Sequence, residues 1–339
     1  LGVVAFVPYV YTVISQIAFI ILLGISSFFI RKRYLFVRRN ILLGRDIPQN
    51  DNRSERWKTM FRVALGQGKM FTRPFAAIMH LFIYAGFVII NIEVLEILID
   101  GIAGTHRIFS FLGGFYNFLI GSFEILAFLV LVACVAFLLR RNVANIKRFR
   151  MSELKKWPRT DANIILVTEV LLMMAFLLMN AADLHIQTSS GNSESITGAF
   201  PVSAYLTPLF TDMNVHSVEI AERFCWWFHI AGILAFIVYL SYSKHLHILL
   251  AFPNTWYSKL QPAGSINNLE AVTLEVQLML DPSLPPPPSD VAPAKFGARD
   301  VQDLSWVQLL NAYSCTECGR CTSECPANQT GKLLSPRKI

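Results

Sequence analysis

The sequence predicts an all-α membrane protein of five transmembrane helices, followed by a small extramembrane helical domain rich in cysteine. Three observations lead there. Of its 339 residues 54% are hydrophobic and only 16% charged, with a mean hydropathy of +0.46, values that exclude an ordinary soluble protein. Five apolar stretches are long enough to cross a bilayer, and basic residues gather in every second loop between them. Near the end, Cys315 to Pro326 reads C-T-E-C-G-R-C-T-S-E-C-P.

The first span is expected over Tyr9–Ile30 and is followed at once by Arg31-Lys32-Arg33. A cleaved signal peptide would carry its charge before the apolar run and small residues after it, so this segment reads as a span with its N-terminus outside. Between Arg31 and Arg73 the chain is strongly basic. There Trp57, Met60, Phe61, Ala64 and Leu65 recur at helical spacing among Arg53, Arg56, Lys58 and Arg62, the pattern of an interfacial helix on the cytoplasmic lipid surface. Span two is placed at Pro74–Ile99, with Pro74 suited to a first helical turn. Span three is Phe118–Leu139, closed by Arg140-Arg141; span four is Ala162–Ala181; span five is Phe224–Leu250. The loops after spans one and three are basic and those after spans two and four are not. The positive-inside rule therefore puts the N-terminus outside and the C-terminus in the cytoplasm. It also accounts for the net charge of +7 without a nucleic-acid partner. Pro285 to Pro288 form a stiff linker, and an amphipathic helix over Val301–Tyr313 leads into the cysteines. Three domains follow: a membrane domain over 1–256, a linker over 257–300, and the start of a cluster domain over 301–339.

The C-x2-C-x2-C-x3-C-P run holds iron–sulfur clusters through thiolates in bacterial ferredoxins. Cys315, Cys318 and Cys321 are assigned to one 4Fe–4S cluster and Cys325 to a neighbouring one. Zinc ribbons instead separate two C-x2-C pairs. A second run is needed to complete two clusters; the sequence opens on Leu1 and ends at Ile339 without one, and the native protein is expected to continue into it. Placing the run in the cytoplasm puts it in a reducing compartment, as its chemistry requires. Cys134 and Cys225 sit in apolar segments and read as small buried hydrophobes.

A second constellation is His80, His229, His245 and His247. Ionisable residues inside spans are costly and mark functional sites, and imidazole is an axial ligand of haem iron. On a continuous fifth span, His229 and His247 would share one face, roughly 27 Å apart along the axis. His80 would lie level with His247 near the cytoplasmic surface, and the pair could bracket one haem b, with His245 in reserve or at the haem propionates or a quinone. His229 would face a second haem near the outer surface, where Asn91 is a poor ligand and His106 and His185 lie at the boundary. Glu93 and Glu96 read as residues of the outer helix end, in headgroups or packed against another span, with proton carriage for quinone chemistry as the alternative.

Five spans, His80, the His229/His247 pair and Ser243-Lys244-His245-Leu246-His247 resemble the dihaem cytochrome b subunit of respiratory nitrate reductase. Leu65 to Phe87 and Tyr242 to Asn254 resemble the membrane-bound heterodisulfide reductase-like iron–sulfur oxidoreductases, whose relatives pass electrons between electron-transfer flavoprotein and menaquinone. The sequence departs from the nitrate reductase pattern at Ile90, where that family has a second histidine. The resemblance implies a protein of the bacterial cytoplasmic membrane that moves electrons between a cytoplasmic Fe–S or flavoprotein partner and the quinone pool. The competing class is a membrane anchor that recruits a soluble Fe–S enzyme and carries no electrons.

Overall fold

The computed structural model describes residues 2–339 except 50, 69, 145, 190–196, 263, 267 and 286–294, with the backbone alone for 2–12. Eleven α-helices appear among the described residues: α1 Gly2–Ile41, α2 Arg53–Met60, α3 Pro74–Ala103, α4 Gly114–Asn142, α5 Trp157–Ser189, α6 Val215–Leu240, α7 His247–Trp256, α8 Glu270–Leu280, α9 Trp306–Tyr313, α10 Arg320–Ser323 and α11 Pro326–Gln329. Five of them (α1, α3, α4, α5 and α6) are long and apolar enough to cross a membrane. No strand occurs among the described residues; one isolated bridge joins Arg45 and Ser305. The chain is thus an all-α, multi-pass membrane protein.

The contacts divide it into two compact units, one of Leu1–Lys32, Met70–Lys244 and Glu317–Ile339, the other of Arg33–Lys69 and His245–Thr316. In the first unit α5 packs on α4 and α6, and α3 packs on α4. The core runs through Phe123, Ala127 and Val130 of α4 and Leu172, Phe176 and Leu177 of α5. Small residues bring these helices close, as in membranes generally. A Cβ on Gly86 would stand 2.5 Å from Val130, and one on Gly232 2.6 Å from Leu172. Phe19 anchors α1 against Ile97 and Ile230.

The segments 104–113 and 198–210 are more ordered than their polarity foretold. Arg107 donates to Asp183 at 2.5 Å and to the Tyr116 hydroxyl at 3.2 Å, and Tyr116 donates to Glu96 at 3.0 Å. Glu93 and Glu96 are both buried, so of the two placements expected for them, packing against the other helices is the one found. Segment 198–210 also folds into the bundle. There the carboxylate of Glu124, fully buried in α4, accepts from the backbone N–H groups of Val202 and Ser203 at 3.0 and 3.1 Å and from Asn180 at 3.1 Å.

The fifth span lies earlier in the chain than expected, at Val215–Leu240. Instead of continuing from Phe224 to Leu250, α6 stops at Leu240, a tight turn covers Lys244–Leu246, and α7 begins at His247. The cause is Asp161 in the first turn of α5. Its carboxylate accepts from the Tyr239 hydroxyl at 2.5 Å and from the Lys244 backbone N–H at 3.1 Å, while the Lys244 ammonium donates to the Pro158 carbonyl at 2.5 Å. These bonds take the Lys244 N–H out of the helical ladder. The expected shared face of His229 and His247 presupposed one continuous helix, and the helix is interrupted between Leu240 and His247.

In the second unit Arg56 of α2 is buried, not solvated as the basic stretch implied. It donates to the carbonyls of Asp51, Trp256 and Ser258 and to the side chains of Gln49 and Asp51. Trp57 meets Trp256 edge to face, 4.4 Å between ring centroids. The expected helix over Val301–Tyr313 begins later, at Trp306. Ser305 caps it, in a reciprocal box with Gln308, and Arg45 pairs with the backbone of Leu304 and Trp306 there. The 257–300 segment contains α8, and residues 286–288 of its proline run lie outside the described residues.

Candidate functional site

Cys318, Cys321 and Cys325 belong to the first unit and Cys315 to the second. Among the described residues no three His, Cys, Asp or Glu side chains are gathered as for a metal ion. Cys315 and Cys321 are exposed; Cys318 and Cys325 are half-buried. Between the first three cysteines the backbone turns left-handed twice, at Glu317 (φ +48°) and Gly319 (φ +71°). Only glycine adopts that conformation freely. Glu317 adopts it while held by two cations: Arg337 donates to its carboxylate at 2.6 Å, and the Lys244 ammonium lies 3.5 Å away. Burial pushes the Lys244 ammonium below its ordinary range, against the pull of Glu317 and Asp161.

The loop between α4 and α5, residues 143–156, forms the floor under this segment. Leu154 fills the space beside Gly319: a Cβ added there would stand 2.6 Å from Leu154 Cδ1 and 3.4 Å from Arg148 Cγ. Thr322, almost fully buried, donates to Glu153 at 2.6 Å, and Arg337 donates to the Glu153 carbonyl at 3.1 Å. Desolvation raises the Glu153 carboxyl, but the hydroxyls of Ser335 and Thr322 and the charge of Arg337 outweigh it and hold the group below its ordinary range.

The surroundings of Cys318 are cationic. Arg320 Nε donates to its sulfur at 3.2 Å. Arg148 has Nε and Nη1 buried without a hydrogen-bond partner among the described residues. Burial and the charges of Arg73, Arg140 and Arg320 push its guanidinium down, and the Cys318 sulfur opposes them. Thiolates and an anionic iron–sulfur cluster fit such a place: the donors left over inside it point to negative charge.

The histidines are distributed as follows. His80 lies half-buried in α3 of the first unit. His229 is buried in α6, its Nδ1–H donating to the Leu172 carbonyl at 2.9 Å and its ring 5.7 Å from Phe176. That bond makes Nε2 the lone-pair nitrogen, the arrangement found in ligating histidines. His245 and His247 belong to the second unit, beyond the end of α6, with ring centroids 5.6 Å apart. Sequence reasoning passed over Arg148, Glu153, Asp161 and Lys244. Asp161 carried a usable signal, an acid at the mouth of an apolar span; Arg148 was one of many loop cations.

These features define a multi-pass helical membrane protein with a cysteine run seated on a basic loop. The chain is 25% identical over 299 residues to the probable iron–sulfur-binding oxidoreductase FadF of Bacillus subtilis, covering 88% of this chain and 38% of that protein. It is 26% identical over 301 residues to the EtfAB:quinone oxidoreductase of Syntrophomonas wolfei, covering 86% of this chain and 38% of that protein. A shorter match, 42% over 50 residues, is to a probable membrane-anchored ferredoxin of Chromohalobacter salexigens, covering 15% of this chain and 8% of that protein. The chain thus spans 38% of the length of the two relatives it matches over most of its own. No family model matches it, and no solved structure does.

Proposed function

We propose that this chain is the membrane part of an oxidoreductase that moves electrons between a cytoplasmic Fe–S or flavoprotein partner and the quinone pool. The observation that carries this reading is the cysteine run with its cationic floor. Cys315, Cys318 and Cys321 would hold one 4Fe–4S cluster and Cys325 would serve a neighbour. The relatives named for iron–sulfur binding and for an EtfAB:quinone reaction support the same chemistry, and the quinone of the second supports a lipid-soluble acceptor or donor such as menaquinone. A cluster supplies one-electron transfer when bound. This chain's residues would supply thiolate ligands, a curled backbone at Glu317 and Gly319, and fixed positive charge beside the sulfur.

A b-type haem between His80 and His247, with His245 in reserve, completes the path from cytoplasm to quinone. Its support is the sequence pattern, since the two histidines lie in different units. For a second haem, His229 is the candidate ligand, supported by its Nδ1–H bond to Leu172. Loops 31–73 and 140–159 would face the cytoplasm of a bacterial inner membrane.

Anaerobic purification followed by iron, sulfide and zinc analysis and a dithionite-reduced spectrum tests the proposal. Iron with sulfide and a b-type band are expected. Zinc in place of iron would sink the cluster assignment. Iron without a b-type band would favour the anchor reading, and an unchanged spectrum in His80→Ala would refute the His80–His247 haem. Labelling of cysteines placed at positions 45 and 150 by an impermeant reagent on intact cells would overturn the topology.

A further inference from the structure

The cation set around Cys318 is larger than its counter-charges. Within the first unit the acids that reach this region are already engaged. Glu317 is held by Arg337 and Lys244, and Glu153 accepts from Thr322. Glu324 lies 3.8 Å from Arg73 but is mostly exposed. Arg320 is exposed and donates to Cys318. Arg148 differs from all of these. Its aliphatic stem lies against Gly319 between the cysteines, its Nε and Nη1 are buried, and neither finds a hydrogen-bond acceptor among the described residues. Phe149 offers it a π-face, with the ring centroid 5.0 Å from the guanidinium carbon. A cation–π contact of this kind leaves the in-plane N–H donors unsatisfied. A buried guanidinium without an acceptor is costly, and the stem that carries it lies against Gly319, the residue after Cys318.

We propose that Arg148 is the fixed positive charge of the iron–sulfur site, a positioning residue that sets the reduction potential of the cluster held through Cys318. The inference rests on the cluster reading given above. On reduction a cluster held there would gain one electron from the redox partner, no bond to the protein would form or break, and the site's negative charge would grow by one unit. A buried cation beside it favours the reduced form, and its N–H groups can hydrogen-bond cluster sulfur, two of the means by which proteins raise cluster potentials. Because Arg148 belongs to the loop between two spanning helices, the membrane bundle itself would set the potential of the cluster seated on it.

The test uses the full-length protein, purified anaerobically. Iron and sulfide content are measured first, and reduction is then followed by EPR-monitored redox titration. Arg148→Gln is expected to keep iron and to favour the oxidised cluster by roughly tenfold, which for a one-electron couple is a shift of about 59 mV to lower potential. Arg148→Lys should recover most of that shift. Arg150→Gln, an exposed cation of the same loop, should leave the potential near that of the wild type. Loss of iron from Arg148→Gln with retention in Arg148→Lys would also support a role for the charge. Full iron with an unmoved potential in Arg148→Gln would overturn the inference. So would a Lys variant as shifted as the Gln variant, an equal shift in Arg150→Gln, or iron loss from both Arg148 variants. A wild-type protein without iron would instead sink the cluster reading itself.

Discussion

Replacing Asp161 by Asn should weaken the attachment of the end of α6 to α5 by about 3 kcal/mol. The side chain is fully buried at the start of α5. One oxygen accepts from Tyr239 and the other from the Lys244 backbone, with the Lys244 ammonium 3.8 Å away. An amide of the same shape has one acceptor oxygen. Its NH2 must then face either a hydroxyl that can rotate or a backbone N–H that cannot, and the charge opposite Lys244 is gone. Removing one partner of a buried pair costs about 3–5 kcal/mol. The low end applies here because Lys244 keeps the Pro158 carbonyl and Glu317. Unfolding in detergent followed by far-UV dichroism measures the loss. Lys244→Met should cost less, because Asp161 retains Tyr239 and the backbone donor, and the double variant should fall short of the sum by about 1–2 kcal/mol. An Asp161→Asn protein within about 0.5 kcal/mol of the wild type, or strict additivity in the double variant, would refute the claim that this pair ends α6.

Gly319→Ala combines a left-handed backbone with a Cβ 2.6 Å from Leu154; about 1–2 kcal/mol of strain should appear as poorer iron retention, partly relieved by adding Leu154→Ala. Glu124→Leu leaves the Val202 and Ser203 N–H groups without the one oxygen, Oε2, that accepts from both, so a loss of about 1–3 kcal/mol and faster proteolysis within 198–210 are expected. Asp303 is pulled down to about 2 by the Lys295 ammonium and the N–H groups of Asp300 and Arg299. The carboxylate therefore orders that turn above its ordinary pKa of 3.8 and lets it go as pH falls toward about 2. Amide exchange at Arg299 and Asp300 should accelerate across that window, and Asp303→Asn should show the fast rate throughout.

Hydropathy alone located the spanning helices, because a bilayer-length apolar run admits few other structures. It failed at the end of α6 for a physical reason. Ile248 to Phe252 continue the apolar run beyond Lys244, while the residue that stops the helix, Asp161, lies 83 positions earlier. Capping by a distant carboxylate leaves no local mark. Arg56 and Arg148 fail in the same way, since a buried arginine and a solvated one look alike in a basic stretch. The cysteine run stands out in the sequence because its spacing is a motif in itself. Its seat on the α4–α5 loop was not, since Leu154, Arg148 and Glu153 form no pattern of their own.

The bond from Glu124 to segment 198–210 also bears on how the protein is made. Glu124 lies ten residues into α4, about 15 Å along its axis. A carboxylate there has no partner while α4 enters the bilayer alone, and the N–H groups of Val202 and Ser203 belong to a stretch that emerges from the ribosome only after α5. Insertion of α4 must therefore tolerate a side chain without its later partners for the time needed to synthesise some eighty residues. Burial of 198–210 is then a post-insertion step, completed by the folded helices and not by the insertion machinery. A biogenesis defect that stalls before α5 would leave α4 as the exposed, recognisable lesion, marked for quality control by a single glutamate.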